Sequence, residues 1–375
     1  MIKRILPLLL LVLFIQPTLA AHKMTLFNGK NLQGWRVVKC KAIVEDGCLK
    51  TVSGNGLVST EHRYQDFILE FQCQALKETK WDSGIYFRCE LPAKKAAWPP
   101  RYQVNLLQGQ EGSLAGSKTA KARKAFKPKV WNHFRLEVRG NTASLKINGK
   151  QAWKTDEIKA KTGYIGIQAE VPGGGQFKFK DIYLTELNHE SIFNRKDLSG
   201  WEGAVRKSSL CWAVKDHLLV CTGKKGPWLR SKKQYGDFNL RLEYKLKAGG
   251  NSGVYVRVPK GGQHHGKGAG VEVQILDDRA KRYRKLQPYQ FTGSVYAIAP
   301  SKKKVGRAAG QWNSIEIDCR GHQYIVIHNG VEIVRANTKS FPKLSVRKLK
   351  GFLGLQNHSE EVWFRNLRIG APLQR

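Results

Sequence analysis

The 375-residue sequence predicts an all-β protein made of two tandem jelly-roll β-sandwich domains. Three observations predict it: apolar and polar residues alternate over strand-length runs, Asn-Gly pairs sit between apolar runs, and the chain repeats itself in order. Phe238, Leu240, Leu242, Tyr244 and Leu246 alternate with Asn239, Arg241, Glu243 and Lys245, and Phe67, Leu69, Phe71 and Cys73 behave alike. Period two places the apolar set on one face, so each run is a strand with one buried side. Asn148-Gly149 and Asn329-Gly330 read as hairpin turns, because both central residues of a type I′ turn need positive φ. Many strands with no sustained helical period pack as two antiparallel sheets per domain.

Residues 1–20 read as a secretory signal: Lys3 and Arg4, an apolar stretch over residues 6–15, then small residues at Thr18 and Ala20, with cleavage expected after Ala20. The stretch is well short of the roughly 20 residues that span a bilayer, and no later segment is long and apolar enough. No transmembrane segment or lipid anchor is expected, and the protein is expected to be secreted or periplasmic. Seven cysteines follow, with Cys40–Cys48 and Cys211–Cys221 the local candidates for disulfides because each pair brackets a hairpin. The odd number leaves at least one unpaired. No CxxC or Cys/His spacing suggests a structural zinc site.

The repeat opens at Leu26-Phe27-Asn28-Gly29-Lys30-Asn31-Leu32-Gln33-Gly34-Trp35, which returns as Ile192-Phe193-Asn194-Arg195-Lys196-Asp197-Leu198-Ser199-Gly200-Trp201. Tyr64-Gln65-Asp66-Phe67 recurs as Tyr235-Gly236-Asp237-Phe238, and Ser83-Gly84-Ile85-Tyr86-Phe87-Arg88 as Ser252-Gly253-Val254-Tyr255-Val256-Arg257. Trp131-Asn132 returns as Trp312-Asn313, and Gly163-Tyr164-Ile165-Gly166-Ile167-Gln168 as Gly351-Phe352-Leu353-Gly354-Leu355-Gln356. The spacing widens along the second copy, so its loops are longer. The expected organisation is signal 1–20, a first domain 21–187 and a second domain 188–375.

The stretches FNGKNLQGW and FNRKDLSGW, the pair NSGVYVR and VEVQILDD, QWN, and GLQNHSEEVWFRNLRI together resemble the 3-keto-disaccharide hydrolase family. The resemblance covers both copies and is closer in the second. It implies a concanavalin A-like jelly roll, as in lectins and glucanases, and cleavage of glycosides already oxidised to a ketone at C3.

Strand parity indicates where that chemistry would sit. Val271, Val273 and Ile275 point to the core, so Glu272 and Gln274 face a groove. Asn251, Tyr255 and Arg257 share one face of the preceding strand, Gln356 and His358 share another near the end, and Asp277 closes the Glu272 strand. A C3 ketone acidifies the C2 proton, so elimination needs a base, a stabiliser for the enolate oxygen and an acid for the leaving group. Glu272 or His358 are the expected base and acid. Arg257 and Asn251 would hold the ketone or ring hydroxyls, and Tyr255, Gln274 and Gln356 complete the binding set. Hydrolysis of an unoxidised glycoside would instead pair Glu272 with Asp277. No cofactor is expected; a divalent ion held by Glu272, Asp277 and His358 ranks below the metal-free route.

The first copy carries Gln103 opposite Glu272, Gln108 opposite Asp277, Glu170 opposite His358 and Asp82 opposite Asn251. It is therefore expected to be a degenerate copy that does not catalyse by this route. Other readings stay open. Arg88 and Arg257 occur in both copies, which also fits structural pairing with an acid. His264 and His265 lie in a Gly-rich loop that is either a lid or solvated. Trp35 and Trp201 suit the core, and Trp98 beside Pro99 and Pro100 suits an exposed stacking surface.

With 65 Lys+Arg against 29 Asp+Glu the formal charge is +36. Lys118, Lys121, Arg123, Lys124, Lys127 and Lys129 form one acid-free run, and Arg279, Lys281, Arg282, Arg284 and Lys285 another. Such density attracts polyanions. With export expected and no nucleic-acid motif present, an anionic or sulfated polysaccharide or an acidic cell envelope is the expected partner rather than nucleic acid. The alternative function is a non-catalytic tandem lectin for such glycans.

Overall fold

The computed structural model describes residues 23–122, 125–171, 173, 177–203 and 211–374. The expected signal, and Arg123 and Lys124 of the first basic run, lie outside the described residues. Two separate cores form. One gathers Phe67, Leu69, Phe71, Phe134 and Phe179, the other Leu240, Leu242, Val254, Val273, Ile275 and Ile317.

In the second copy a five-stranded sheet runs in the order Trp201–Gly203, Leu229–Tyr235, Gly351–Leu355, Asn251–Val258, Val271–Leu276, antiparallel throughout. It packs on a larger sheet built from Trp212–Lys215, Leu218–Thr222, Glu361–Gly370, Phe238–Leu246, Asn313–Arg320, Gln323–His328 and Val331–Ala336. The first copy departs from the expected two sheets and forms one curled eleven-stranded sheet. Its long strand Cys48–Thr60 pairs Leu49 and Lys50 with Phe177–Glu186, and residues 54–59 with Tyr164–Val171, so it passes from one layer to the other. Gly54, at φ 79°, permits the bend. In the second copy Gly223-Lys224-Lys225-Gly226-Pro227 breaks the corresponding strand in two, since Pro cannot donate to a ladder.

The repeated motifs build the fold. The Asn28 side-chain oxygen accepts from the backbone N–H groups of Lys30 and Asn31 at 2.8 and 2.9 Å, and Asn194 does the same for Lys196 and Asp197 at 2.9 and 3.0 Å. Trp35 and Trp201 are buried and donate to the Leu26 and Ile192 carbonyls. Asn148 donates to Asn132 and Asn329 to Asn313, tying each Asn-Gly turn to its Trp-Asn strand.

The cysteine pairing differs from expectation, as all seven are free. Cys48 stands opposite Glu45, whereas Cys40 lies opposite Gly54, six residues further along that strand. Cys211 and Cys221 donate separately, to the Pro227 carbonyl and the Asn357 side chain.

A buried charge network joins the copies. Glu186, at the end of the first copy's last long strand, lies between Arg241 and Arg368 of the second. Burial alone would raise its pKa, but the two guanidinium charges outweigh burial and hold it well below the carboxylate range. Arg241 also donates to the Arg63 carbonyl, and Glu61 accepts from Ser314 and Arg307.

Candidate active site

The outer face of the five-stranded sheet is built by register. Tyr255 stands opposite both Glu272 and Gly354, and Gly354 opposite Arg230, so these residues form one row across four strands. Gln274, Gly253 and Gln356 make a second row beside it. Val254, Val273, Ile275 and Leu355 point the other way, into the core.

Two glycines make room. A Cβ on Gly253 would collide with the Glu272 carboxylate, and one on Gly354 with the Trp228 ring. Over this face folds the loop of residues 259–270. It brings His264 Nε2 to 3.0 Å from Glu272 Oε2 and leaves Glu272 only 3% exposed. The imidazole stacks on Tyr255, with centroids 4.9 Å apart and planes at 21°, while His265 lies 4.1 Å beyond His264 and 5.7 Å from Tyr296. Trp228 meets Tyr255 edge-on at 5.3 Å.

Electrostatics follow from these contacts. Burial pulls the His264 pKa down, but the hydrogen bond and charge of Glu272 outweigh it and hold it above the ordinary value. His265 is lowered by burial and by His264. The Tyr255 phenol is pushed up by burial and by the Glu272 charge, and its oxygen accepts from Gln356 Nε2 at 3.1 Å. Gln356 Oε1 and Asn251 Oδ1 are buried with no hydrogen-bond partner in the protein. They are two acceptors turned toward a face that otherwise holds a carboxylate, an imidazole and a phenol, a set suited to binding hydroxyls and moving protons.

Three residues expected here lie elsewhere. Arg257 is fully buried and pairs with Asp237 at 2.8 Å, donating also to the Gly236 and Gly321 carbonyls. The register shifts between Tyr255 and Val258, and Arg257 sits in that bulge at φ 56°, so the parity that holds at Tyr255 fails two residues later. Arg88 repeats the arrangement with Asp66 at φ 44°, so both arginines are structural. Asp277 accepts from the Gly249 N–H at 2.8 Å and closes that turn. It is five residues from Glu272 on an extended strand, roughly 16 Å at about 3.3 Å per residue, beyond the separation either glycosidase geometry uses. His358 is exposed in the connection after Gly351–Leu355, and the imidazole at Glu272 belongs to His264 instead. Glu272, Asp277 and His358 therefore do not converge on one ion, and no group of three or more His, Cys, Asp or Glu forms a metal site among the described residues.

Parity could not find His264, Trp228 or Tyr296, which reach the face from loops. The available signal was the His-His pair, which the corresponding loop of the first copy, residues 90–102, lacks.

The first copy keeps the frame and changes the chemistry. Tyr86 stands opposite Gln103 as Tyr255 stands opposite Glu272, and Gly84 lies beneath Gln103 as Gly253 lies beneath Glu272. Gln103 donates to Gln168, which donates to Glu170 at 2.6 Å. Burial and the neighbouring Glu170 push the Asp82 pKa up to about 7. Trp98 is half-buried against Tyr86 and Leu57 and donates to the Ala169 carbonyl at 3.0 Å, so it is less open than a stacking platform requires.

A family model described as a 3-keto-alpha-glucoside-1,2-lyase-like domain matches residues 23–185 and again 188–370. A 3-keto-disaccharide hydrolase of Bacteroides thetaiotaomicron is 24% identical over a match covering 50% of this chain and 78% of that protein. Among solved structures, a candidate glycosyl hydrolase from Parabacteroides distasonis is 26% identical, with TM-score 0.43, covering 49% of this chain and 98% of its own. A carbohydrate-binding module from Bacillus subtilis is 14% identical, with TM-score 0.34, over 42% and 98%.

Proposed function

We propose that this chain, a hydrolase-type enzyme that belongs to the family of 3-keto-α-glucoside-1,2-lyase-like domains and carries two of them, cleaves 3-keto-glycosides at the Glu272–His264 pair of its second copy. The observation that carries the reading is the 3.0 Å contact between those side chains, beneath a loop that leaves the carboxylate 3% exposed. In the proposed course Glu272 takes the C2 proton, and the C–H electron pair passes into the enolate of the C3 ketone. Collapse of the enolate forms the C1–C2 double bond and breaks the C1–O bond, the departing oxygen takes the proton of the His264 imidazolium, and water then adds across the double bond to give net hydrolysis. Gln356 Oε1 and Asn251 Oδ1, both lacking partners, would accept from ring hydroxyls. Exclusion of water around Glu272 strengthens each of these interactions.

Gln103 in place of Glu272 cannot act as a base, so the first copy is proposed to support or bind rather than cleave. Export is proposed from residues 1–20, and Ala21 as the N-terminal residue of the protein from its source would bear it out. Glu272→Gln, which copies the first domain's own residue, is expected to lower turnover of a 3-keto-disaccharide by about a hundredfold or more, in line with loss of a positioned general base, while the protein still folds and loses only the stability that the His264 contact contributes. Wild-type turnover in that variant would remove Glu272 from the mechanism.

A further inference from the structure

Two guanidinium groups reach the loop that delivers His264: Arg230 donates to the Lys260 carbonyl near its start at 3.1 Å, and Arg347 gathers the stretch that carries His264 itself. Arg347 lies just before the Gly351–Leu355 strand and is 8% exposed. Its Nη1 donates to the carbonyls of His264 and Gly266, both at 3.0 Å, and of Gly270 at 3.4 Å. Beside it the Gly268 N–H donates to the Val346 carbonyl and the Lys348 N–H to the Ala269 carbonyl, each at 2.9 Å. Arg347 makes no ion pair among the described residues, and its Nε has no partner. A buried cation without a counter-charge costs stability, so its place is better explained by what it orders than by what it stabilises. The loop needs ordering, since Gly262, Gly266 and Gly268 stand at φ 81°, 81° and 71° and glycine resists being fixed. In the first copy the corresponding loop, residues 90–102, is held differently, with Lys39 Nζ donating to the carbonyls of Ala93, Lys94 and Ala96 at 2.8, 2.7 and 2.6 Å.

We propose that Arg347 is a positioning residue of the Glu272 site, which fixes the His264 imidazole against the Glu272 carboxylate by gathering three carbonyls of the loop that carries it. This rests on the assignment of Glu272 and His264 as the reacting pair. Arg347 touches no reacting atom, so it acts only through His264.

The test compares Arg347→Lys with the wild type in two ways. A lysine keeps the charge but offers a compact ammonium in place of the planar donor fork. Steady-state kinetics on a 3-keto-disaccharide should show kcat falling about tenfold to a hundredfold with KM little changed, the scale expected of a small misplacement. The His264 imidazole, assigned by its loss in His264→Asn and followed by NMR titration, should titrate lower than in the wild type as its contact with Glu272 loosens. If Arg347→Lys does not fold, Gly266→Ala perturbs the same loop at a left-handed position with open space around it, and it should give the same titration shift. Wild-type kcat together with wild-type His264 titration, in whichever variant folds, overturns the proposal. If Glu272→Gln and His264→Asn themselves turn over normally, the site assignment has failed instead, and the two failures are told apart.

Discussion

In the proposed mechanism the chemistry turns on Glu272, and His264 beside it sets how turnover responds to pH. The His264 pKa is raised by Glu272 against the opposing pull of burial, so the imidazolium persists above the ordinary histidine value of about 6.5. Turnover that needs His264 protonated is expected to fall as pH rises through that elevated pKa. A kcat/KM profile should show this basic limb in the wild type and lose it in His264→Asn; an unchanged limb in the variant would take His264 out of the acid role. The sign for stability is the same. The pair stabilises the fold fully below about pH 6.5, and this is lost as pH rises through the folded pKa. Glu272 was legible in the sequence because an odd polar residue in an apolar strand reveals its face, and because the first copy carries Gln103 there. Arg257 was misread because a bulge at positive φ reverses parity without changing the residue pattern. His264 was not assigned because the path of a long loop is not written in periodicity.

Among the elements, strands were more legible than their joins. Each repeated motif turned out to tie two strands together: Tyr-x-Asp-Phe meets Ser-Gly-x-Tyr-x-Arg through the Asp66–Arg88 and Asp237–Arg257 pairs. Repetition thus marked the fold, and the positions where the copies differ marked the site. The long strand Cys48–Thr60, which fuses the first copy's two layers into one sheet, was not legible, because a bend through Gly54 leaves the alternation on either side intact. A structural Arg257 makes a prediction that a substrate-holding one does not. Arg257→Ala should cost about 1–3 kcal/mol, the range for orphaned carbonyl acceptors, since the half-exposed Asp237 can be rehydrated. Thermal unfolding measures that loss, and turnover per folded molecule should be unchanged. A raised KM with unchanged stability would return Arg257 to the substrate.

At the scale of the molecule the two copies are coupled by buried charge. Glu186→Gln removes the partner that Arg241 and Arg368 share, and breaking such a pair from one side costs about 3–5 kcal/mol. Calorimetry should record a large drop in melting temperature, or two transitions where the wild type has one; an unchanged single transition would mean that the network does not join the domains. The formal charge of +36 leaves exposed cations such as Lys121, Lys127, Arg284 and Lys285. Binding to a sulfated polysaccharide, the partner proposed from this charge, should weaken steeply with salt. The second copy is proposed to remove a C2 proton made acidic by a neighbouring ketone. The most direct test incubates the protein with a 3-keto-disaccharide and with its unoxidised parent, and follows release of the second sugar. Cleavage of the keto form alone is the predicted result; equal cleavage of both, or of neither, would contradict it.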